Sequence, residues 1–172
     1  MDSRQPSPVL VLGLGNLLLG DDGAGLALLE ALRRQLGDQG NQVEFLDGGT
    51  QGLNLLGCLE GRRTLIILDA LALRKKPGSV SVLRADELRE LGARRSSTAH
   101  EGNAGELLAA AALLGQIPEQ VFVVGVEPER LETGVGLSAP VQAAVPEAVA
   151  RARELIQAAI ADFLRSFLRN KP

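Results

Sequence analysis

The stretch VLVLGLGNLLLGDDGAG, residues 9–25, decides the fold class of this chain. It begins as an aliphatic run typical of a buried strand, passes through glycines, and enters a segment with the apolar spacing of a helix. Such a strand, turn and helix resemble the start of a nucleotide-binding unit, yet Asp21 and Asp22 stand where a phosphate would lie. A helix N-terminus attracts anions and two carboxylates repel them, so the loop favours a cation.

The remainder of the chain repeats the alternation of strand and helix. We predict strands at residues 9–13, 42–47, 64–70, 79–83 and 120–126, and helices near residues 24–35, 52–59, 85–91 and 102–114. This pattern predicts an α/β fold, a single domain with a mostly parallel five-stranded twisted sheet and helices on both faces.

Two features of the predicted elements depart from a regular alternation. The fourth strand follows the third after a turn too short for a helical crossover, so we expect it to pair antiparallel or to lie at an edge. From Pro140 onward apolar residues recur on one helical face, and we expect Pro146 to break or restart that helix early.

Residues 1–8 are predicted to be a flexible tail, and residues 9–168 the single α/β domain.

Composition restricts the partners of the chain. At 172 residues, with a net charge of -3, four Phe and no Tyr or Trp, it offers neither a basic surface nor stacking platforms, so we expect no nucleic acid partner. No apolar run reaches the roughly 18 residues of a membrane span, so we expect no membrane insertion. The single cysteine, Cys58, predicts a reducing, cytoplasmic location. Nothing in the periodicity signals a dimer helix, and we expect a monomer.

Polar residues gather at the predicted carboxyl ends of the strands, where open α/β sheets place their sites. The first strand is followed by Asn16, Asp21 and Asp22, the second by Asp47-Gly48-Gly49-Thr50, the third by Asp69, and a later loop carries His100, the only histidine. Each acid has an ordinary alternative role, since Asp21 and Asp22 could cap a helix and Asp69 could cap the next turn. Together, one imidazole and two carboxylates form a plausible three-ligand site for a divalent ion.

Other chemistries find weaker support. Gly13, Gly15 and Gly20 do not have the G-x-G-x-x-G spacing, and the chain contains no phosphate-binding G-x-x-x-x-G-K-[ST]. Residue 104 is Ala, so His100-Glu101 does not begin the H-E-x-x-H zinc helix. The G-x-S-x-G elbow of serine hydrolases is absent from the sequence, although scattered Ser and Asp leave a triad formally open.

With these residues assembled, the chain resembles the hydrogenase maturation endopeptidases, which remove a C-terminal extension from the large subunit of nickel-iron hydrogenases. The resemblance runs from about Val9 to Val149. It rests on VLGLGNLLLGDDGAG, FLDGGTQG, LIILDA and the His100 loop, followed by VVGVEPERLETGVGLSAPV. The first of these fits the specific pattern G-x-G-N-x-L-x-x-D-[DE]-G-x-G.

The resemblance implies a metal-binding and catalytic triad of Asp22, Asp69 and His100, with Asp22 at a position where the family often has Glu. It also implies that the D-G-G-T box, Asp47 to Thr50, is a mobile substrate-contacting loop. Backbone N–H groups of Gly48, Gly49 and Thr50, or the amide of Asn16, are candidate oxyanion donors. The expected ion is nickel presented by the substrate, and other divalent ions can also occupy the site.

We therefore expect a metal-dependent, nickel-recognising endopeptidase, a hydrolase with an aspartate-rich site, that acts on a nickel-loaded large-subunit precursor. The ion could be catalytic or only a recognition mark. The alternative is a non-enzymatic, metal-dependent docking module that checks the precursor for nickel, because Asp22, Asp69 and His100 would suit both roles.

Overall fold

The computed structural model describes residues 6–37, 39, 41–94 and 104–169, with the backbone alone for residues 91–94. Its centre is a five-stranded sheet. The strands are β1 (Val9–Leu14), β2 (Val43–Gly49), β3 (Thr64–Ala70), β4 (Val80–Arg84) and β5 (Gln120–Val126). Their order is β2-β1-β3-β5-β4, and all pairs are parallel except β4 with β5. The predicted mostly parallel sheet and its antiparallel edge strand are confirmed.

Helical segments cover both faces of this sheet, as predicted. They are α1 (Ala24–Leu36), α2 (Ala85–Arg94), α3 (Ala104–Leu113) and α4 (Ala139–Arg169), together with 3-10 segments at Gly20–Gly23 and Gly52–Leu59. α1 and α4 pack on one face, and the second 3-10 segment and α3 pack on the other. The α-helix expected at residues 52–59 is thus a 3-10 helix, and its two glycines, Gly52 and Gly57, lower the propensity of this segment for an α-helix.

The strand β3 lies at the centre of the core and is buried along almost its whole length. Ile66 and Leu68 face α1 and α4, while Leu65 and Ile67 face the 3-10 helix and α3. A strand buried on both faces needs a continuous run of aliphatic residues, which is why TLIILDA lacks the alternation of polar and apolar residues. The core therefore holds the carboxyl end of β3, where Asp69 lies, in a fixed position.

The expected break at Pro146 is wrong, because α4 continues from Ala139 to Arg169 with Pro146 inside it. Proline removes one helical hydrogen bond and costs about 3 kcal/mol in a helix interior. Pro146 is exposed, whereas Val141, Ala148 and Val149 of the same helix are buried and packed in the core. Their packing holds the helix together across the missing bond.

Residues 6–8 lie against the start of the sheet. The carbonyl oxygen of Ser7 accepts a hydrogen bond from the Arg62 guanidinium, and that of Pro8 accepts one from the backbone N–H of Arg63. The preceding residues, 1–5, fall outside the described part of the chain. Within the described part, no helix is long and apolar enough to span a membrane.

Candidate functional site

The strand order places the expected site in the crevice outside the carboxyl ends of β1 and β3. These strands are neighbours in the sheet, but the chain leaves β1 towards β2 on one side and leaves β3 towards β4 on the other. Such a reversal of direction separates the two outgoing loops and is where open α/β sheets bind ligands. Asp22 follows β1 and Asp69 lies at the end of β3, so the fold brings the two predicted acids to the same crevice.

The loop after β1 is folded back so that its start contacts Asp22. The backbone N–H of Asn16 donates to Asp22 Oδ2 at 2.8 Å, and Asn16 Oδ1 accepts the N–H of Leu18 at 2.9 Å. This return requires a glycine at residue 15, which has φ +135° and whose added Cβ would stand 1.9 Å from the carbonyl oxygen of Asp22. Gly15 therefore allows the loop to return to the Asp22 backbone.

Asp69 is a nearly buried carboxyl, with 4% of its surface exposed. Its Oδ1 accepts the N–H of Ala70 at 2.8 Å, and its Oδ2 accepts the N–H of Ala104 at 3.2 Å, the first residue of α3. Burial raises the pKa of Asp69 to about 7; these two hydrogen bonds oppose the shift, and the charge of Asp22 adds to it. The two acids are therefore close enough for the charge of Asp22 to make ionisation of Asp69 less favourable.

Asp21 has a different environment from Asp22. It is fully buried, and its carboxylate accepts hydrogen bonds from the N–H groups of Glu129, Arg130 and Ser138 and from the Ser138 hydroxyl. Burial alone would raise the pKa of Asp21, but these hydrogen bonds outweigh it and hold that pKa below its usual value. The adjacent acids thus have separate environments: Asp21 ties the β1 loop to the loop after β5, and Asp22 is half-buried and near enough to Asp69 to act on it by its charge.

Helix capping, the alternative role considered for these two acids, is wrong. The residue that precedes α1 is Gly23, and it forms no side-chain cap; the 3-10 turn Gly20–Gly23 follows Leu19, which forms none either. The carboxylates bond instead to backbone groups outside the helix, at Asn16 for Asp22 and at residues 129–138 for Asp21.

His100 lies outside the described residues. The chain is described again from Ala104, four residues later in the sequence, where the Ala104 N–H contacts Asp69. Among the residues that are described, no three His, Cys, Asp or Glu side chains are grouped closely enough to hold a metal ion. The structure brings Asp22 and Asp69 together, and the place of His100 as the third ligand stays a prediction.

The D-G-G-T box, expected to be a mobile substrate-contacting loop, lies largely within the end of β2. Asp47, Gly48 and Gly49 complete β2, and the register with β1 shifts by one residue so that Gly48 forms a bulge. A Cβ on Gly48 would meet the side chains of Leu12, Leu14 and Leu55 at 2.8–3.0 Å. Core packing and strand pairing therefore fix the first part of the box, and the side chains of Asp47 and Thr50 are exposed at its two ends.

The box is joined directly to the first loop. The N–H of Gly15 donates to the carbonyl oxygen of Gly49 at 3.0 Å. Gly49 has φ +47°, a left-handed conformation that glycine adopts without steric cost. Asn16 and the box are thus held side by side at one edge of the sheet, as predicted from the strand order of an open α/β fold.

Two residues that hold this edge together were missed by the sequence reasoning. Ser138 binds Asp21, and its position directly before Ala139 and Pro140 is one where a serine commonly starts a helix. Glu127 is buried after β5 and accepts the N–H groups of Leu73 and Arg74 at 2.7 and 3.0 Å. An acid that directly follows an aliphatic strand, the signal used for Asp69, would have indicated Glu127 as well.

Comparison with known proteins agrees with this architecture. A family model described as hydrogenase maturation protease (HycI) matches residues 26–155, a range that contains Asp69 and His100 and begins after Asp22. The hydrogenase 2 maturation protease of Escherichia coli is 40% identical over 144 residues, covering 82% of this chain and 85% of that protein. The hydrogenase expression/formation protein HupD of Rhizobium leguminosarum is 34% identical, covering 88% and 76% respectively.

A solved structure extends the likeness to the whole fold. The hydrogenase maturating endopeptidase HybD from E. coli superposes with a TM-score of 0.77 at 35% identity, covering 88% of this chain and 93% of that one. The single-domain α/β sheet of this chain is thus the fold of a hydrogenase maturating endopeptidase. The chain belongs to the hydrogenase maturation protease family.

Proposed function

We propose that this chain is an endopeptidase that removes a C-terminal extension from the nickel-loaded large-subunit precursor of a nickel-iron hydrogenase. Membership of the family supports the reaction class and the kind of substrate. The observation that carries the proposal for the site is the pairing of Asp22 with the buried Asp69 in the crevice between β1 and β3.

Asp69 is suited to move a proton at neutral pH. A carboxyl with a pKa of about 7 is divided between its two protonation states under these conditions, which is the property that a general acid or base needs. In our proposal Asp69 accepts a proton from the water that attacks the scissile carbonyl. Asp22 stays closer to solvent and is the alternative base, with its Oδ2 oriented by Asn16.

The same acids, with His100, are the groups we assign to nickel recognition. A nearby cation would favour the ionised form of Asp69, whose pKa is raised by burial and by the charge of Asp22, and a mixed oxygen and nitrogen ligand set suits a divalent transition metal. Because the nickel belongs to the substrate, an incomplete ligand set in the protease would make binding depend on a loaded precursor. An ion held there would polarise the scissile carbonyl or acidify a water molecule, and other divalent ions can occupy the same ligands.

Substrate contacts are assigned to Asn16 and to the D-G-G-T box. The Asn16 backbone N–H and side-chain oxygen already bond within the loop, so its side-chain NH2 is the donor that we assign to the substrate. Asp47 and Thr50 are exposed beside it, and Gly48 and Gly49 fix their position. We further propose that the chain acts as a monomer in the cytoplasm, a location favoured by its single cysteine.

The proposal can be tested by incubating the purified chain with a large-subunit precursor, either nickel-loaded or nickel-free, and following the precursor's mass. We expect loss of a C-terminal peptide from the loaded form only, and a loss of rate of at least about a hundredfold in Asp22→Asn, Asp69→Asn and His100→Ala. Asp162→Asn is the matched control, because this exposed acid lies at the opposite edge of the sheet, beside Val9 and Thr64.

Other results would lead to different conclusions. Tight binding of the loaded precursor without any change of mass would favour the non-enzymatic docking module. Normal processing by Asp22→Asn or Asp69→Asn would show that the site is wrongly assigned even if the reaction is correct. Equal processing of loaded and nickel-free precursor would remove nickel recognition from the proposal.

A further inference from the structure

Two adjacent leucines of the β1 loop are exposed beside the crevice. Leu17 and Leu18 expose 58% and 64% of their surfaces. Their conformation is fixed locally, because the Asn16 side chain accepts the N–H of Leu18 and thereby holds the turn. Neighbouring large apolar side chains that are exposed together in an ordered turn commonly mark a binding surface.

A third apolar side chain joins them from the loop after β5. The Gly134 N–H donates to the carbonyl oxygen of Leu18 at 2.9 Å, and the Gly20 N–H donates to that of Gly134 at 2.8 Å. Val135, the next residue, exposes 82% of its surface. We call Leu17, Leu18 and Val135 the apolar lip.

The apolar lip is linked rigidly to the acid that faces the crevice. A methyl group placed on Gly23, directly after Asp22, would come within 3.2 Å of the Leu17 side chain. The two loops that form the lip are also joined through buried Asp21, whose carboxylate bonds to residues 129, 130 and 138. The lip therefore holds a fixed position relative to Asp22.

We infer that the apolar lip binds aliphatic or aromatic side chains of the precursor's C-terminal segment, held in an extended conformation next to the scissile bond. This inference rests on the proposed function. A peptide whose scissile carbonyl lies at Asp22 must cross the adjoining surface, and the residues on the same loop there are Leu17 and Leu18. Exposed Glu129, Arg130 and Glu132 border this surface, so an apolar centre lies within a polar rim, as in many protein interfaces.

The test compares the double variant Leu17→Ser/Leu18→Ser and the single variant Val135→Ser with the control Leu113→Ser/Leu114→Ser. The control residues expose 88% and 61% of their surfaces; Leu113 ends α3, the helix that begins beside Asp69, and Leu114 follows it. Affinity for the nickel-loaded precursor is measured with every variant placed in an Asp69→Asn background, so that the precursor stays intact. Cleavage is measured in the wild-type background over a range of precursor concentrations.

We expect the Leu17/Leu18 variant to weaken binding and to raise KM by about tenfold or more, with kcat within about twofold, because two leucines are no longer buried in the complex. Val135→Ser should give about a threefold effect, and the control should match the wild type. Urea unfolding midpoints of all variants verify that the fold is unchanged.

Unchanged affinity in the lip variants, or an equal loss in the control, would overturn the inference. The inference would also be overturned if the lip variants, without precursor, sedimented differently from the wild type. The lip would then contact a second copy of the chain. If the wild type binds the precursor through the lip but does not cleave it, the proposed reaction fails and the docking surface stands.

Discussion

Asp21 and Ser138 are 117 residues apart in the sequence, yet the Asp21 carboxylate accepts both the backbone N–H of Ser138 at 2.6 Å and its hydroxyl at 2.8 Å. With the N–H groups of Glu129 and Arg130, these bonds satisfy a carboxylate that has no contact with solvent. Asp21 thus fastens the loop after β5 to the loop that carries Asp22. The adjacent acids can be distinguished by experiment.

We expect Asp21→Ala to lower the free energy of unfolding by about 3 kcal/mol, because it leaves several buried donors without an acceptor. Asp22→Ala removes one hydrogen bond at a half-buried position and should cost about 1 kcal/mol. Urea unfolding of both variants measures the difference. Equal losses would contradict the separate roles that we assign to the two residues.

Asp69 should make stability depend on pH between about 4 and 7. Its folded pKa is about 7 and its usual value is 3.8, so the folded state binds the proton more tightly than the unfolded state. Stability from this residue is therefore complete below pH 4 and is lost as pH rises towards 7, by about 4 kcal/mol at most. Asp69→Asn should flatten this part of the curve of unfolding free energy against pH.

Asp22→Asn provides a second check on the same curve. This variant removes the charge that helps to raise the pKa of Asp69. The unfolding free energy should therefore stop falling at a lower pH than in the wild type. Asp21 has the opposite effect on stability, because its pKa is lowered from the usual value of 3.8. Its contribution to stability is present above about pH 3.8 and is lost as the pH falls below that value. If the unfolding free energy of Asp69→Asn varied with pH in parallel with that of the wild type between pH 4 and 7, the raised pKa would not belong to Asp69.

The start of α1 should not tolerate a side chain at Gly25. An added Cβ would lie 2.2 Å from the carbonyl oxygen of Leu68 and 2.3 Å from that of Leu14, and both are backbone atoms of the sheet. We expect Gly25→Ala to cost at least about 3 kcal/mol or to prevent folding. Gly57→Ala is the control, because nothing lies within 4 Å of its added Cβ and its change should stay within about 1 kcal/mol. Soluble yield and urea unfolding report both outcomes.

Arg74 is the one described residue other than glycine with a positive φ, at 60°, and Glu127 accepts its N–H. We expect Arg74→Gly to stabilise the protein by about 0.5–1 kcal/mol, because glycine adopts this conformation without steric cost. Lys76→Gly, in the same exposed turn but at a residue without positive φ, should destabilise it slightly. A stabilising effect of similar size at Lys76 would contradict strain at Arg74; thermal unfolding distinguishes the two.

The sheet was predictable from the sequence because local patterns determine it. Five aliphatic runs gave the strands, and the short turn before β4 gave its antiparallel pairing. Two other features depend on distant contacts and could not be predicted. The helix at Pro146 continues because residues such as Val149 pack on the sheet, and Asp21 is distinguished from Asp22 only by partners more than a hundred residues away. The 3-10 form of residues 52–59 has a local cause, the two glycines, which the apolar spacing alone does not reveal.

The bulge at Gly48 has a consequence for insertions and deletions in this protein. Successive residues of a strand point to opposite faces, so the extra residue in β2 sets the side on which Thr50 emerges relative to Asp47. Deleting one of the two glycines would remove the extra residue, move Thr50 one place back along β1 and disturb the bond between Gly49 and Gly15. The number of residues in the D-G-G-T box is therefore as much a requirement of the fold as their identity.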